Sequence, residues 1–330
     1  MSSGLIQHLA LVSQSNLVGM SDLAVVSAAL QKQVIRDFAP LWAVNATVDA
    51  FESLDEVPLD YWPMVVKDDI GFDAAGIHLD KDGQPFALIT AEADRDVWSL
   101  TASHECLEIL ADPFGNRTVA GDSPKPDQDR VMFLVEVCDP SEAAEFGYSI
   151  NGVLVSDFYT PNYFDPIAST AVRYSFTGAI KEPRDVLAGG YLSWLNPVSG
   201  EWWQETWFSG TQSSFRSLGK LDGAKASIRS QIDRMTARAT QQAIAPGRKA
   251  ARAAGLSVRQ ARPARDGRAA SLQAQIDALA RQSQQNQQNQ QSPRSGGGRK
   301  AAGESERRRR PKRFDREDSR DAEKPSRSVK

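Results

Sequence analysis

The sequence predicts an α+β domain over residues 1–210, followed by a basic, disordered tail. Three observations predict it. Strand-like alternation and helix-like spacing interleave through the first 110 residues, and strand signals dominate from there to about 210. All seven Trp lie before residue 210, and beyond it the aromatics are Phe215 and Phe314. Residues 1–210 carry 11 Lys/Arg against 31 Asp/Glu, a net of −20, while residues 211–330 carry 28 against 11, a net of +17; the overall −3 hides two oppositely charged halves.

The elements follow in chain order. Residues 5–13 form an apolar-rich first strand, with His8 packed in it. Ser21 and Asp22 supply an N-cap and a first-turn acid, and Leu23, Val26, Ala29, Leu30, Val34 and Phe38 have helical spacing that Pro40 ends. Val44, Ala46 and Val48 alternate with polar neighbours, a strand within 42–51. Residues 61–67 suit another strand, Asp80-Lys-Asp-Gly83 a turn, and 86–90 a strand. Residues 96–112 form the next helix, stopped by Pro113 and Gly115. The second half reads as β-rich: a strand at 131–137, a hairpin about Asn151-Gly152, a strand at 172–176, and a final hairpin pairing 191–194 with 202–208.

About 200 residues are enough to bury a core. Residues 211–265 read as a linker in which 224–243 has amphipathic spacing through Ile228, Ile232 and Met235. Residues 266–330 are low-complexity and Gln/Arg-rich, with a short helical stretch at 272–279, and hold too little apolar surface to offset the entropy of ordering. The N-terminus lacks a basic segment followed by an apolar one, no stretch reaches membrane-span length, and Cys106 and Cys138 make no disulfide framework, so the expected location is cytoplasmic with no membrane contact.

The chemistry concentrates in one helix. His104, Glu108 and Asp112 stand at i, i+4 and i+8, near one stripe that drifts about 40° per step of four. Imidazole and carboxylate both ligate zinc. Glu105 follows His104 directly, the position of the general base in the His-Glu-x-x-His arrangement; here Glu108 replaces the second His. The competing reading is a solvated acidic face, since an imidazole and two acids on one side of a helix are common. Leu100, Leu107 and Leu110 form a separate apolar stripe, so packing does not force the polar one.

The segment Ser103-His-Glu-Cys-Leu-Glu-Ile-Leu-Ala-Asp-Pro113 resembles the zincin metallopeptidases, and more closely bacterial proteins with a Ser-His-Glu-x-x-Glu-x-x-x-Asp-Pro signature. Glu136-Val-Cys-Asp139 matches their downstream acidic segment, and Gly76-Ile-His78 their Gly-x-His ahead of the strand that leads into the helix. The resemblance covers residues 1–210 in architecture and about 60 residues in motif. It implies a zincin-like fold: an N-terminal helix, a mixed sheet with an edge strand over a cleft, and an active-site helix beneath. It implies a zinc-dependent hydrolase, a peptidase acting on peptide or protein, with His104 and Glu108 as ligands and Glu105 activating a metal-bound water. No His follows His104, so the third ligand is an acid, Glu136 for preference, with Asp112 and Asp139 as alternates. The substrate carbonyl is expected along an edge strand at 86–90.

His78 and Tyr159 are candidates for substrate contact, Tyr159 with Tyr163 as packing aromatics otherwise. Cys106, two residues from His104, faces away from it on a helix and is no partner for nucleophilic catalysis. Two other function classes stay open. One is a catalytically inactive zincin-fold interaction or assembly protein, of phage or mobile-element kind, suggested by the missing second His. The other is a polyanion binder acting through Arg307–Arg310, Lys312 and Arg313, which lack the interleaved aromatics of a base-stacking surface.

Overall fold

The computed structural model describes residues 5–224 and 226–244. The Gln/Arg-rich tail at 266–330, its expected disorder, its short helix and its Arg-rich run lie outside the described residues.

The first half runs β1 (Gln7–Ser13), α1 (Met20–Lys32), α2 (Ala39–Trp42), β2 (Ala46–Phe51), β3 (Tyr61–Lys67), β4 (Gly76–Lys81), β5 (Gln84–Thr90) and α3 (Arg95–Ala111). Its sheet has the order β2-β1-β3-β5-β4. β2, β1, β3 and β5 are parallel, and β4 runs antiparallel beside β5 at the edge. Leu9, Ala10, Leu11 and Val12 of β1 are all buried, as a parallel strand covered on both faces requires. α1 buries Leu23, Val26, Ala29 and Leu30.

Two details depart from expectation. Pro40 does not end the first helix. The helix widens into a π-helical stretch at Gln33–Phe38 and continues as α2, with Pro40 in the first turn of α2, where a missing N–H costs little. The stop comes at Ala43, in the left-handed region at φ 56°. The segment 86–90 is not an edge. Asp82 and Gly83, with φ of 54° and 80°, fold β4 back as a hairpin, so β5 is interior and β4 is the free edge.

The second half adds β6 (Thr118–Asp122), β7 (Arg130–Leu134), β8 (Tyr148–Ile150), β9 (Val153–Val155), β10 (Tyr191–Asn196), β11 (Glu201–Thr206), β12 (Ser214–Gly219) and α4 (Ile228–Ile244). β12-β11-β10-β7-β6 form an antiparallel sheet, and β8-β9 are the expected Asn151-Gly152 hairpin. Residues 172–176 make one isolated bridge, Tyr159 to Ser175, in place of a strand; their buried rings, Tyr174 and Phe176, pack in the core from an irregular segment. The architecture is mixed α and β, with two five-stranded sheets, the β8-β9 hairpin and few helices among the described residues.

The folded unit does not stop near 210, where a linker was expected. β12 pairs with β11, and Ile232 of α4 is buried with Leu134, Tyr191 and Trp202. The sparse aromatics beyond 210 hid this: β12 contributes mainly backbone hydrogen bonds, and α4 anchors by charge as much as by apolar contact. α3 lies centrally, packed on β4, β5 and β9, and its side chains from Trp98 to Ala111 are all buried.

Candidate metal centre

α3 begins at Asp94, whose carboxylate caps the Asp96 N–H. It is fixed in rotation from within the motif. Ser103 Oγ donates to Gln33 Oε1 at 2.8 Å and accepts from the Ser156 N–H at 2.9 Å. Gln33 opens the π-helical stretch and donates onward to the Ser156 carbonyl. Ser103 thus rivets α3 to both the first helical segment and the strand after the hairpin, one residue before His104. π-Helical turns often mark functional positions.

His104, Glu105 and Glu108 are 7%, 3% and 0% exposed, so the solvated-face alternative is excluded. Charged groups so buried need partners. His104 Nε2 stands 3.2 Å from Glu108 Oε2 and 3.2 Å from Asp139 Oδ1. The other Glu108 oxygen, Oε1, accepts the Cys138 N–H at 3.1 Å, which holds the carboxylate with Oε2 turned to His104. Asp139 opens a short 3-10 turn, Asp139–Ser141. Behind them, His78 on β4 is 1% exposed; its Nδ1 lies 3.5 Å from Glu105 Oε2 and 3.9 Å from Glu108 Oε2.

The acids expected around His104 take different positions. Asp139, not Glu136, faces His104. Glu136 lies within reach of Glu108 and Asp139 but pairs its carboxylate with Arg229. Asp112 is turned away: its Oδ2 accepts the Arg117 N–H at 2.6 Å and its backbone carbonyl meets His78 Nε2 at 3.0 Å. The ideal i+8 stripe fails because α3 ends at Ala111, and Asp112 leaves helical geometry with φ −142° and ψ 78°. His78 and Tyr159 do not line an open cleft. His78 sits behind the carboxylates, and Tyr159 is fully buried, stacked on Tyr163 at 4.4 Å. His8 is structural, bonded to Thr47 and stacked on Tyr61.

Glu142, Arg229 and Asp233 were not foreseen. Arg229, 2% exposed, enters from the first turn of α4. Its Nη1 is 2.7 Å from Glu108 Oε2 and 3.2 Å from Asp139 Oδ2, its Nε meets Asp233 Oδ2 at 2.8 Å, and it pairs with Glu136. The turn is pinned by Ile228 N–H on Asn116 Oδ1 and Arg229 N–H on the Gly115 carbonyl. The one sequence signal was the i, i+4 pair Arg229/Asp233, lying beyond the expected boundary.

The electrostatics follow from crowding. Burial pushes against a charged His104, but Glu108, Asp139 and Glu105 outweigh it and hold its pKa well above the ordinary value. Burial raises Glu108 too, yet Arg229 and His104 overcome that and hold it far below the carboxylate range. Asp139 and Glu142 go the other way, raised by burial and by neighbouring carboxylates. Both Glu142 oxygens, Glu105 Oε2 and His78 Nδ1 are buried with no hydrogen-bond partner. A cavity of about 30 Å³, room for a water molecule, is lined by Gly76, Thr101, His104, Glu105, Arg229 and Asp233 among others.

The donor set fits a divalent cation. Two ligands about 2.0 Å from one ion at a tetrahedral angle stand about 3.3 Å apart, and His104 Nε2 has that spacing to both Glu108 and Asp139. Compared with known proteins, the chain matches no family model, no curated protein and no solved structure.

Proposed function

We propose that this protein is a zinc-dependent hydrolase acting on peptide bonds, with His104, Glu108 and Asp139 as metal ligands and Glu105 as general base. The observation that carries the reading is the pair of 3.2 Å spacings from His104 Nε2. When bound, the ion supplies Lewis acidity toward water and toward a carbonyl oxygen. Glu105 adjoins the ligand helix position and reaches the cavity. Its Oε1 lies where a side chain on Gly76 would be, so the glycine opens the space the base needs. β4 is an edge strand that carries Gly76, and an extended substrate adding to such an edge would pass the base. The four parallel strands with one antiparallel edge strand, and α3 packed on them, support the zincin-like reading of the fold.

One observation favours a second reading, a non-catalytic interaction protein that keeps this arrangement. Arg229 already places a guanidinium among Glu108, Glu136 and Asp139, and so meets part of the cage's need for positive charge. The two readings separate on the full chain. Under the hydrolase reading, purified protein holds zinc that His104→Ala loses, and a peptide library is cleaved by the wild type and spared by Glu105→Gln. Zinc absent even after supply, or cleavage that survives Glu105→Gln, would falsify it.

A further inference from the structure

Resting on that reading, we infer that the cage has a second divalent-cation position, formed by His78 Nδ1, Glu105 and Glu108, on the β4 side of the ligand helix. His78 shows it most directly. Its Nε2 is 3.0 Å from the Asp112 carbonyl, which can only accept, so Nε2 carries the ring proton. Nδ1 is then the ring nitrogen turned to the carboxylates. It is fully buried, has no hydrogen-bond partner and faces Glu105 Oε2 at 3.5 Å and Glu108 Oε2 at 3.9 Å. A buried imidazole nitrogen beside two carboxylates, with no hydrogen bond to either, is a donor set suited to a cation held between them. One atom from each of the three residues falls within 4.8 Å of the others, a span that a single cation can bridge. An imidazole that gives its far N–H to a backbone carbonyl is oriented as metal-ligating imidazoles are.

Charge points the same way. Glu105, Glu108, Glu136, Asp139, Glu142 and Asp233 are six buried carboxylates, and Arg229 is the guanidinium among them. Six carboxylates around one guanidinium leave the cage short of positive charge, which divalent ions would supply. Glu108 joins the two positions, since its Oε2 lies within 3.9 Å of both imidazoles. The second ion takes Glu105 as a ligand and so removes the base, which makes this position inhibitory to hydrolysis.

The test is zinc stoichiometry on the full chain, stripped of metal and titrated at neutral pH, with bound zinc counted by mass spectrometry. Wild type takes two zinc per chain, the second more weakly. His78→Ala and His78→Gln take one, and the Gln side chain can keep a hydrogen bond to Asp112 if the Ala variant folds poorly. His104→Ala loses the tighter ion. A wild type that saturates at one zinc, lost with His104→Ala, overturns the second position and leaves the hydrolase reading standing. Two zinc in both His78 variants also overturns it. No zinc in the wild type sinks both.

Discussion

His104 Nε2 and Asp139 Oδ1 stand 3.2 Å apart although the residues lie on separate elements, α3 and the 3-10 turn after β7. The contact completes a three-residue set whose other two members share one helix face. Asp139→Asn therefore weakens zinc binding by at least about 100-fold, as loss of a direct ligand does. Glu136→Gln, which removes a partner of Arg229, weakens it by about 10-fold or less, at the low end of outer-shell effects. Competition with a chromophoric chelator measures both; the opposite ranking restores Glu136 as third ligand.

Arg229→Gln leaves Glu108, Glu136 and Asp139 buried without their guanidinium. Breaking a buried pair in this way costs about 3–5 kcal/mol. Thermal unfolding of the metal-free variant should move down by many degrees. Added zinc should recover most of the loss, because a more anionic cage binds a cation more tightly and binding stabilises the folded state. A variant as stable as wild type without metal refutes the role given to Arg229.

Gly76→Ala tests the base separately from the metal. An added Cβ would stand 2.6 Å from Thr101 Cγ2 and 2.8 Å from Glu105 Oε1, so Glu105 must shift. The tighter zinc, the one lost with His104→Ala, should stay at the wild-type level while kcat falls by about 10-fold or more. Unchanged kcat would place the base elsewhere.

Asp157 gives a pH signature away from the cage. Burial raises its pKa to about 6, against the hydrogen bond it accepts from the Thr177 N–H. A raised carboxylate pKa means that the folded state binds the proton more tightly than the unfolded one. The stabilisation is complete below about pH 4 and is lost as pH rises through 6, on the order of 3 kcal/mol at about 1.4 kcal/mol per unit. Asp157→Asn should flatten this part of the stability profile between pH 4 and 7, read from denaturant midpoints. An unchanged slope removes Asp157 as its source.

Much of the fold was legible in local pattern. β3 falls on residues 61–67, the Asn151-Gly152 turn makes its hairpin, and α3 runs to one residue short of the expected end, because period-2 and period-3.6 burial and turn chemistry are local properties. Residues 172–176 had strand composition, but strand pairing is a relation between segments, and only Ser175 found a partner. β4 and β12 were missed for the converse reason: short, partly exposed strands owe their existence to the neighbour they pair with. The extension past 210 was illegible because α4 is held by Arg229 in a charged cage, which composition reads as a solvated basic segment.

His104, Glu105 and Glu108 could be named from sequence because an α-helix sets their relative directions at fixed spacing. Which acid stands beside His104 could not, because Glu136 and Asp139 are three residues apart in an irregular segment, where a change of one backbone turn exchanges them. Tertiary structure decided that, turning Asp139 to His104 and Glu136 to Arg229. It also brought His78 behind Glu105 through the β4–β5 hairpin. Helical periodicity is written in the chain, whereas contact between a helix, a hairpin and a distant α4 depends on how the whole core closes.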